Sequence, residues 1–386
     1  MNRKRTAILY LSAVGIYWMT ISLTMGMAVS YLAFRGFSNT EMGSILAVAN
    51  ILSVLISMLL ASLSDKYGAS GIVPLLASGL GISVFALGIL LFTPFSKPLF
   101  AVAYSLLAAS SLAIGPIIIK LYFDLSQSTK LPSFAIFRAF GSLCFAFMSF
   151  FAGSILKTKS LTILPVINSL CVLLLLLCIL LLKPDLRSTS YSQKNTPQTG
   201  YISLLKNNTS FLYLLCGIFL IFMVHNNISS FNANILDNLG AGATAVAYLN
   251  GVTVVAEIPM MALYSRFRGV SAERLLAISF IFFLLKIILI SAATNIAMLF
   301  IAFSLQAFSF GLYTPAIVDY VKDNFPYEQA GHAQGIVANI PIIGSMIGAL
   351  LFGAMLDNLP LSRSLFIFCL ITAVGVISCL YALREK

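Results

Sequence analysis

Residues 105–124 read SLLAASSLAIGPIIIKLYFD, and residues 304–323 read SLQAFSFGLYTPAIVDYVKD. At an offset of 199, the two stretches match at seven of twenty positions, and the matches include a proline and an aspartate. These two pairs are Pro116 with Pro315 and Asp124 with Asp323. Chance similarity of two apolar helices is the alternative, but the shared proline and aspartate favour an internal repeat. We therefore predict two related halves.

Both stretches belong to a series of long apolar runs. Sixty per cent of the 386 residues are hydrophobic and 9% are charged, whereas an average soluble domain has roughly 25% charged residues. A transmembrane helix needs about 20 apolar residues, and a membrane strand would instead alternate apolar and polar residues. The runs lie near residues 7–34, 42–63, 71–92, 99–125, 132–155, 161–182, 209–233, 242–264, 272–292, 296–321, 333–356 and 363–383.

These runs predict an all-α membrane protein with twelve transmembrane helices in two pseudo-symmetric six-helix bundles. The first run is too long for the apolar core of a signal peptide and has no small-residue cleavage site, so we interpret it as the first span. A single long polar connection, KPDLRSTSYSQKNTPQTGYISLLKNN at 183–208, separates the bundles. The predicted domains are therefore residues 1–182 and 209–386, with 183–208 as a cytoplasmic linker.

Lysine and arginine are unevenly distributed among the connections. If the N-terminus is inside, the two tails and the even-numbered connections carry 16 basic residues, and the opposite side carries five. Cytoplasmic loops retain positive charge, so both termini are predicted to be cytoplasmic. The net charge of +11 follows from this bias and requires no nucleic acid partner. We expect a monomer in the lipid bilayer of a bacterial plasma membrane.

Motifs for catalysis, metal binding and nucleotide binding are missing from the sequence. All six cysteines fall within apolar runs, and they show neither CxxC nor Cys/His ligand spacing, so we expect no metal and no cofactor other than a proton gradient. No GxxxxGK[ST] loop is present, which disfavours an ATP-driven pump. No nucleophile, base and orienting group occur together, so we do not expect an enzyme.

The connection after the second span, SLSDKYGAS at 62–70, places Asp65 three residues before Gly68. It resembles the Gly-x-x-x-Asp-x-x-Gly-Arg-Arg signature of the major facilitator superfamily, although Ala61 replaces the first glycine and Ala69–Ser70 replace the basic pair. Further resemblance, to the branch with phenylpropionate permease and the oligosaccharide/proton symporters, is spread along the chain. It is found at residues 17–46, 137–147, 254–267, 308–321 and 333–357.

The resemblance implies a secondary carrier that works by alternating access. It gives Asp65, with Gly68, a structural role in locking the cytoplasmic side, near helix N-termini that favour a carboxylate; an ordinary loop acid is the alternative. It also implies that Arg138, in an Arg-x-x-Gly context, contacts the substrate. The alternative for Arg138 is a structural ion pair with Asp124.

Ionisable residues inside spans cost about 2.5 to 3.5 kcal/mol each at mid-depth, so they usually face a cavity or form a pair. Glu257 in the eighth run is our candidate proton carrier, since burial disfavours the charged form of a carboxylate. A static ion pair with Lys286 is the alternative. Lys286 could also contact an anionic or hydroxyl-rich substrate.

Lys120 and Asp319 occupy equivalent positions of the repeat, each four residues after a proline. They are predicted to form a cytoplasmic gate pair, or else to snorkel to the interface. Asp319 could also assist Glu257 in the proton step. His225 and Asn226, in a polar island of the seventh run, and Gln306 in the tenth are candidate substrate contacts; core packing is the alternative for Gln306 and an interfacial position for the island.

Together these features predict a proton-coupled symporter that takes up an organic acid, a sugar or a similar metabolite. A proton-coupled exporter of drugs or metabolites would use the same fold. A membrane receptor of this fold that transports nothing is the alternative from another functional class.

Overall fold

The computed structural model describes residues 3–67, 69–92, 96–128, 134–186, 208–267 and 269–384. Within these ranges every regular element is a helix, and no strand is present. Twelve helices of this part of the chain are long and apolar enough to cross a membrane. The predicted all-helical fold with twelve spans is therefore confirmed.

In the first half of the chain, the helices are named α1 to α7. They are α1 Arg3–Thr24, α2 Ala28–Phe34, α3 Asn39–Tyr67, α4 Ala69–Phe92, α5 Lys97–Ser128, α6 Phe134–Ile155 and α7 Ile163–Leu186. Residues 187–207, which make up most of the predicted linker, lie outside the described ranges.

The second half continues as α8 to α15, with two short 3₁₀ helices at Tyr264–Phe267 and Leu305–Ala307. The α-helices are α8 Thr209–Ser230, α9 Asn232–Asn238, α10 Ala243–Leu263, α11 Ala272–Ser291, α12 Ile296–Ser304, α13 Phe310–Asn324, α14 Tyr327–Asn358 and α15 Leu361–Arg384.

The contacts of the chain define two compact units. The N-unit comprises Met1–Phe37, Ser44–Gln193 and Ala243–Gly251. The C-unit comprises Ser38–Gly43, Lys194–Gly242 and Val252–Lys386. The boundary between residues 193 and 194 falls inside the polar connection 183–208, and each unit also includes one short segment from the other half of the sequence.

In the N-unit, α1 packs against α6 and α7, and α4 packs against α5 and α7. Tyr10 is a central contact of this packing: its hydroxyl donates to the Ile118 carbonyl at 3.0 Å, and its ring meets the Phe137 ring edge-on at a centroid distance of 4.9 Å. The hydroxyl thus has a partner inside the protein, as a buried tyrosine requires.

In the C-unit, α8 lies between α14 and α15, and α11 packs against α13 and α15. Small residues permit the close approach, because α8 and α15 meet at two glycines. A Cβ atom built on Gly217 would lie 2.6 Å from the Gly375 carbonyl oxygen, and one built on Gly375 would lie 2.9 Å from the Gly217 carbonyl oxygen. The two backbones are therefore in direct contact.

Three of the predicted spans are interrupted: the run at 209–233 breaks near its end, between α8 and α9, and two others break well inside their length. The run at 7–34 ends its first helix at Thr24, where the N–H groups of both Met25 and Gly26 donate to the Ile21 carbonyl; the chain resumes as α2 at Ala28. The Tyr104 hydroxyl donates to the Thr24 carbonyl at 2.6 Å. The run at 296–321 is likewise broken, between α12 and α13. Apolar run length did not predict these breaks, because the freed backbone groups find partners on other helices.

The contact between α8 and α15 generates a stability prediction. Replacement Gly217→Val should lower the free energy of unfolding by about 1 to 3 kcal/mol, because the added methyl groups would collide with α15. The measurement is the unfolding midpoint in detergent. Gly335→Ala on α14 is the matched control, since a Cβ there meets no described atom within 4 Å. Equal losses in the two variants would contradict the packing described.

Candidate substrate and proton site

A chain of three buried polar side chains crosses the interior of the C-unit. Glu257 on α10, Lys286 on α11 and Gln306 between α12 and α13 are 4%, 3% and 7% exposed. Lys286 Nζ donates to Gln306 Oε1 at 2.7 Å, and Gln306 Nε2 donates to Glu257 Oε2 at 3.3 Å. A neutral amide therefore connects a cationic and an acidic side chain. We call these three residues the Glu–Gln–Lys chain.

The break in the tenth span brings Gln306 into this position. The α12 helix ends at Ser304, a 3₁₀ turn covers Leu305–Ala307, and α13 begins at Phe310. The Ser309 carbonyl, freed by the break, accepts a hydrogen bond from Ser279 Oγ of α11 at 2.9 Å. Such irregular backbone is tolerated at membrane depth only where the protein satisfies it, and broken helices often line transporter sites.

Gly311 lets α13 approach the acidic end of the chain. A Cβ atom built on Gly311 would lie 3.2 Å from the Glu257 carbonyl oxygen and 3.3 Å from its Cα. The backbone that carries Glu257 is thus held against the first turn of α13. A movement of α13 would change the surroundings of the carboxylate directly.

Lys286 and His225 line the same small cavity. Its volume is about 10 Å³, which is close to the space that one water molecule needs. The ammonium of Lys286 lies 4.8 Å from the centre of the Phe303 ring. The His225 ring is flanked by Phe283 and Phe310, at centroid distances of 4.8 and 5.8 Å. The structure therefore groups His225 with the Glu–Gln–Lys chain.

The two asparagines of the polar island connect α8 to α14. Asn227 Nδ2 donates to the Ser345 carbonyl at 3.0 Å and to the Met223 carbonyl at 2.8 Å. Asn226 Nδ2 lies 3.5 Å from the Pro341 carbonyl. These contacts hold helices together, as polar side chains commonly do in membranes. A substrate contact for Asn226 stays a prediction.

Arg138 on α6 lies in the N-unit and stacks on the single tryptophan of the chain. Its guanidinium carbon is 4.3 Å from the centre of the Trp18 ring, and one terminal nitrogen donates to Ser142 Oγ at 2.7 Å. A Cβ atom at Gly141 would collide with the Trp18 indole. The glycine of the Arg-x-x-Gly pattern thus leaves room for the tryptophan that supports the arginine.

The model of the MFS_1 like family matches residues 10–370. The chain belongs to this family. Among solved structures, a variant of the nucleoside transporter NupG superposes with a TM-score of 0.81 at 14% identity, over 98% of this chain and 99% of that one. An auto-inhibited POT family peptide transporter gives a TM-score of 0.78 at 12% identity, over 98% and 96% of the two chains.

A D-xylose–proton symporter gives a TM-score of 0.70 at 14% identity, over 99% of this chain and 98% of that one. A search of curated proteins found no significant match. The predicted membership of the major facilitator superfamily is confirmed, and these neighbours are transporters rather than enzymes. Similarity to the phenylpropionate permease branch stays a prediction.

Other residues that the sequence analysis named lie outside the Glu–Gln–Lys chain. Asp319 on α13 accepts a hydrogen bond from the Tyr264 hydroxyl at 2.8 Å and lines a polar cavity of about 720 Å³ with Lys322 and Asp323. Lys120, on α5 of the N-unit, is half-buried. Its pairing with Asp319 and a proton role for Asp319 stay predictions.

The remaining predicted positions can be placed only in part. Asp124, the alternative partner of Arg138, is half-buried on α5. Asp65 lies on α3, but its side chain is outside the described part of the structure, and so is Gly68. The structural role that the resemblance gives to these two residues stays a prediction.

Two contacts of the site were missed by sequence reasoning. Ser279 supports the helix break and Tyr264 binds Asp319, yet both look like ordinary residues of apolar runs. Their partners are 30 and 55 residues away in sequence, and one sequence carries no signal of such pairing. For Gln306 the sequence predicted a substrate contact, which stays a prediction; the structure adds that its amide bridges two charged side chains.

The Glu–Gln–Lys chain predicts that removing one of its two charged groups destabilises the protein. Lys286→Met should lower the free energy of unfolding on the order of 3 kcal/mol, because the buried Glu257 loses its cation. Adding Glu257→Gln should restore part of this loss. The unfolding midpoint in detergent measures both effects. Lys322→Met, at an exposed position of α13, is the control. An equal loss in the control, or no recovery in the double variant, would contradict the chain.

Proposed function

We propose that the protein is a secondary active transporter that couples uptake of a small solute to the entry of protons. The two halves of the chain would alternate in opening the solute site to the two sides of the membrane. Membership of the family supports transport, and the buried Glu–Gln–Lys chain supports coupling to protons. The observation that carries the proposal is a carboxylate, 4% exposed, connected to a lysine through one amide at a helix break.

Glu257 is the proton carrier in this proposal. A carboxyl group surrounded by protein ionises at a lower energetic cost when a cation and a hydrogen-bond donor are near it. Lys286 and Gln306 supply these groups through two hydrogen bonds. We therefore assign Lys286 and Gln306 to the proton step, with Asp319 as its second acidic group.

Arg138 is the substrate contact in this proposal. A guanidinium presents several donors in one plane, which suits a carboxylate or adjacent hydroxyl groups. Stacking on Trp18 at 4.3 Å fixes that plane and reduces the entropy lost when a solute binds. These contacts favour an organic acid or a sugar. A D-xylose–proton symporter is among the neighbours, and its coupling of a hydroxyl-rich solute to protons supports the same combination.

The twelve spans and the family make the protein an integral multi-pass membrane protein. The excess of lysine and arginine in the tails and even-numbered connections supports our proposal that both termini are cytoplasmic. We propose a monomer, in the plasma membrane of a bacterium.

Uptake into proteoliposomes tests the coupling. A panel of organic acids, sugars and nucleosides should contain a solute that the protein accumulates under an inward proton gradient. Glu257→Gln should abolish this accumulation and retain solute exchange, because the carrier can still change conformation without the proton. Glu273→Gln, a half-buried glutamate on α11, is the matched control. Uptake at the same rate with and without the proton gradient would refute coupling. Accumulation under an outward proton gradient would indicate export.

Trp18 fluorescence tests the role of Arg138 independently of transport. The chain has one tryptophan, so a transported solute that binds Arg138 should change the emission of Trp18. Arg138→Lys should weaken binding about tenfold or more, since it loses charge-assisted hydrogen bonds of the planar fork.

The control is Arg35→Lys, because Arg35 also belongs to the N-unit and lies 5.1 Å from the centre of the Phe100 ring. It should bind the solute as the unmodified protein does. Unchanged Trp18 emission at saturating solute, or equal weakening in the two variants, would refute the proposed contact.

A further inference from the structure

The amide of Gln306 has a defined direction. An ammonium has only donors, so Lys286 must face the oxygen of the amide, as the 2.7 Å hydrogen bond shows. The amide nitrogen then points to Glu257 Oε2. Hydrogen bonds to an ionised carboxylate are roughly twice as strong as those between neutral groups. The strength of the hydrogen bond from Gln306 to Glu257 therefore depends on whether the carboxyl group carries a proton.

Gln306 also belongs to the backbone break of the tenth span. The N–H groups of Phe308 and Ser309 both donate to the Leu305 carbonyl, and the first of these bonds spans three residues, as in a 3₁₀ helix. Short 3₁₀ stretches within helices often mark hinges. Side chains from α10 and α11 hold this turn through Glu257, Lys286 and Ser279. Gln306 thus lies in the break and also donates the hydrogen bond whose strength depends on the charge of Glu257.

The internal repeat provides a comparison within the same chain. At the offset of 199, the position of Gln306 corresponds to Leu107. Leu107 is 2% exposed and lies within the continuous helix α5. The repeat without the glutamine has no break in the described residues. The glutamine amide and the helix break at this repeat position therefore occur together in the second half only.

Three other groups that can titrate belong to the Glu–Gln–Lys chain or to the cavity and aromatic cluster beside Lys286. Lys286 of α11 reaches it through the amide, and His225 of α8 shares the cavity of Lys286. Tyr313 of α13 packs on Phe222 at a centroid distance of 5.0 Å and faces the same aromatic cluster as His225. A change in the charge of Glu257 reaches the break most directly through Gln306, which touches both.

We propose that Gln306 is the positioning residue of the proton step: its amide holds the tenth span in the broken form while Glu257 is ionised and releases it when Glu257 takes up a proton. This inference rests on the proposed function, in which Glu257 carries the proton. Release would free the 3₁₀ turn and allow α13, which contacts Glu257 at Gly311, to move relative to α12.

The test is Gln306→Met, which keeps the size of the side chain and removes both hydrogen bonds. Two pH profiles are measured: the unfolding midpoint of the purified protein in detergent, and solute exchange in proteoliposomes. Loss of the donor disfavours the ionised carboxylate, so the transition in both profiles should move to higher pH by about one pH unit. In a Glu257→Gln background, Gln306→Met should cause no movement to higher pH, because the carboxyl group is gone; loss of the amide oxygen that Lys286 binds can move a transition only to lower pH.

Ser279→Ala is the matched control, since it removes a neutral hydrogen bond from the same break. It should lower stability without moving the pH transition. If Gln306→Met does not fold, Gln306→Glu replaces it: this variant keeps an oxygen for Lys286 and places a second acceptor against Glu257. Its transition should lie at higher pH than that of the unmodified protein.

A purely structural glutamine would give a different result. The inference would be overturned if Gln306→Met destabilised the protein equally at every pH. It would also be overturned if Gln306→Met moved the pH transition equally with and without Glu257. A stability that does not vary between about pH 5 and pH 9 in the unmodified protein would overturn it as well. The stability profile needs no transport. Gradient-independent uptake combined with a moved stability transition would therefore refute the proposed function, and it would still show that the Gln306 amide favours the ionised form of Glu257.

Discussion

The hydrocarbon core of a membrane offers no hydrogen-bond partner, so each polar group of a span must find one within the protein. Many serines of the spans satisfy this requirement locally by donating to a carbonyl three or four residues earlier, as Ser53, Ser169 and Ser304 do. Two bonds between helices lie at places where the structure departs from a simple helix. Ser279 donates to the Ser309 carbonyl on another helix, and Tyr104 donates to the Thr24 carbonyl. Both acceptors lie where a predicted span is interrupted.

The same constraint determines how the helices pack. Lipid chains are as apolar as leucine, so helices associate through close contact and hydrogen bonds rather than through the hydrophobic effect. Gly217 and Gly375 provide the close contact between α8 and α15, and Asn227 provides hydrogen bonds between α8 and α14. This packing keeps α8 in place, and α8 carries His225 to the cavity of Lys286. The site in the C-unit therefore depends on contacts that involve no charged residue.

The two halves of the chain carry different chemistry. The C-unit carries the Glu–Gln–Lys chain at a broken helix, whereas the N-unit carries Arg138 stacked on Trp18. At the repeat position of Gln306 the first half has Leu107, inside an unbroken helix. Such a division of groups suits a carrier in which one half responds to protons and the other recognises the solute. Structural similarity to transporters of nucleosides, peptides and D-xylose, all at 14% identity or less, reflects the shared fold.

The sequence by itself determined the helical class, the twelve spans, the superfamily and the set of charged side chains within the spans. The helical class, the spans and their charged residues follow from the length and composition of apolar runs, which are local, whereas the superfamily follows from the resemblance of particular segments. Only the tertiary structure decided where the first and tenth spans break, that Gln306 bridges Glu257 and Lys286, and that Trp18 supports Arg138. Each of these contacts joins residues from different helices. Their geometry depends on which helices become neighbours, and that is decided by packing over the whole unit rather than by any single stretch of sequence.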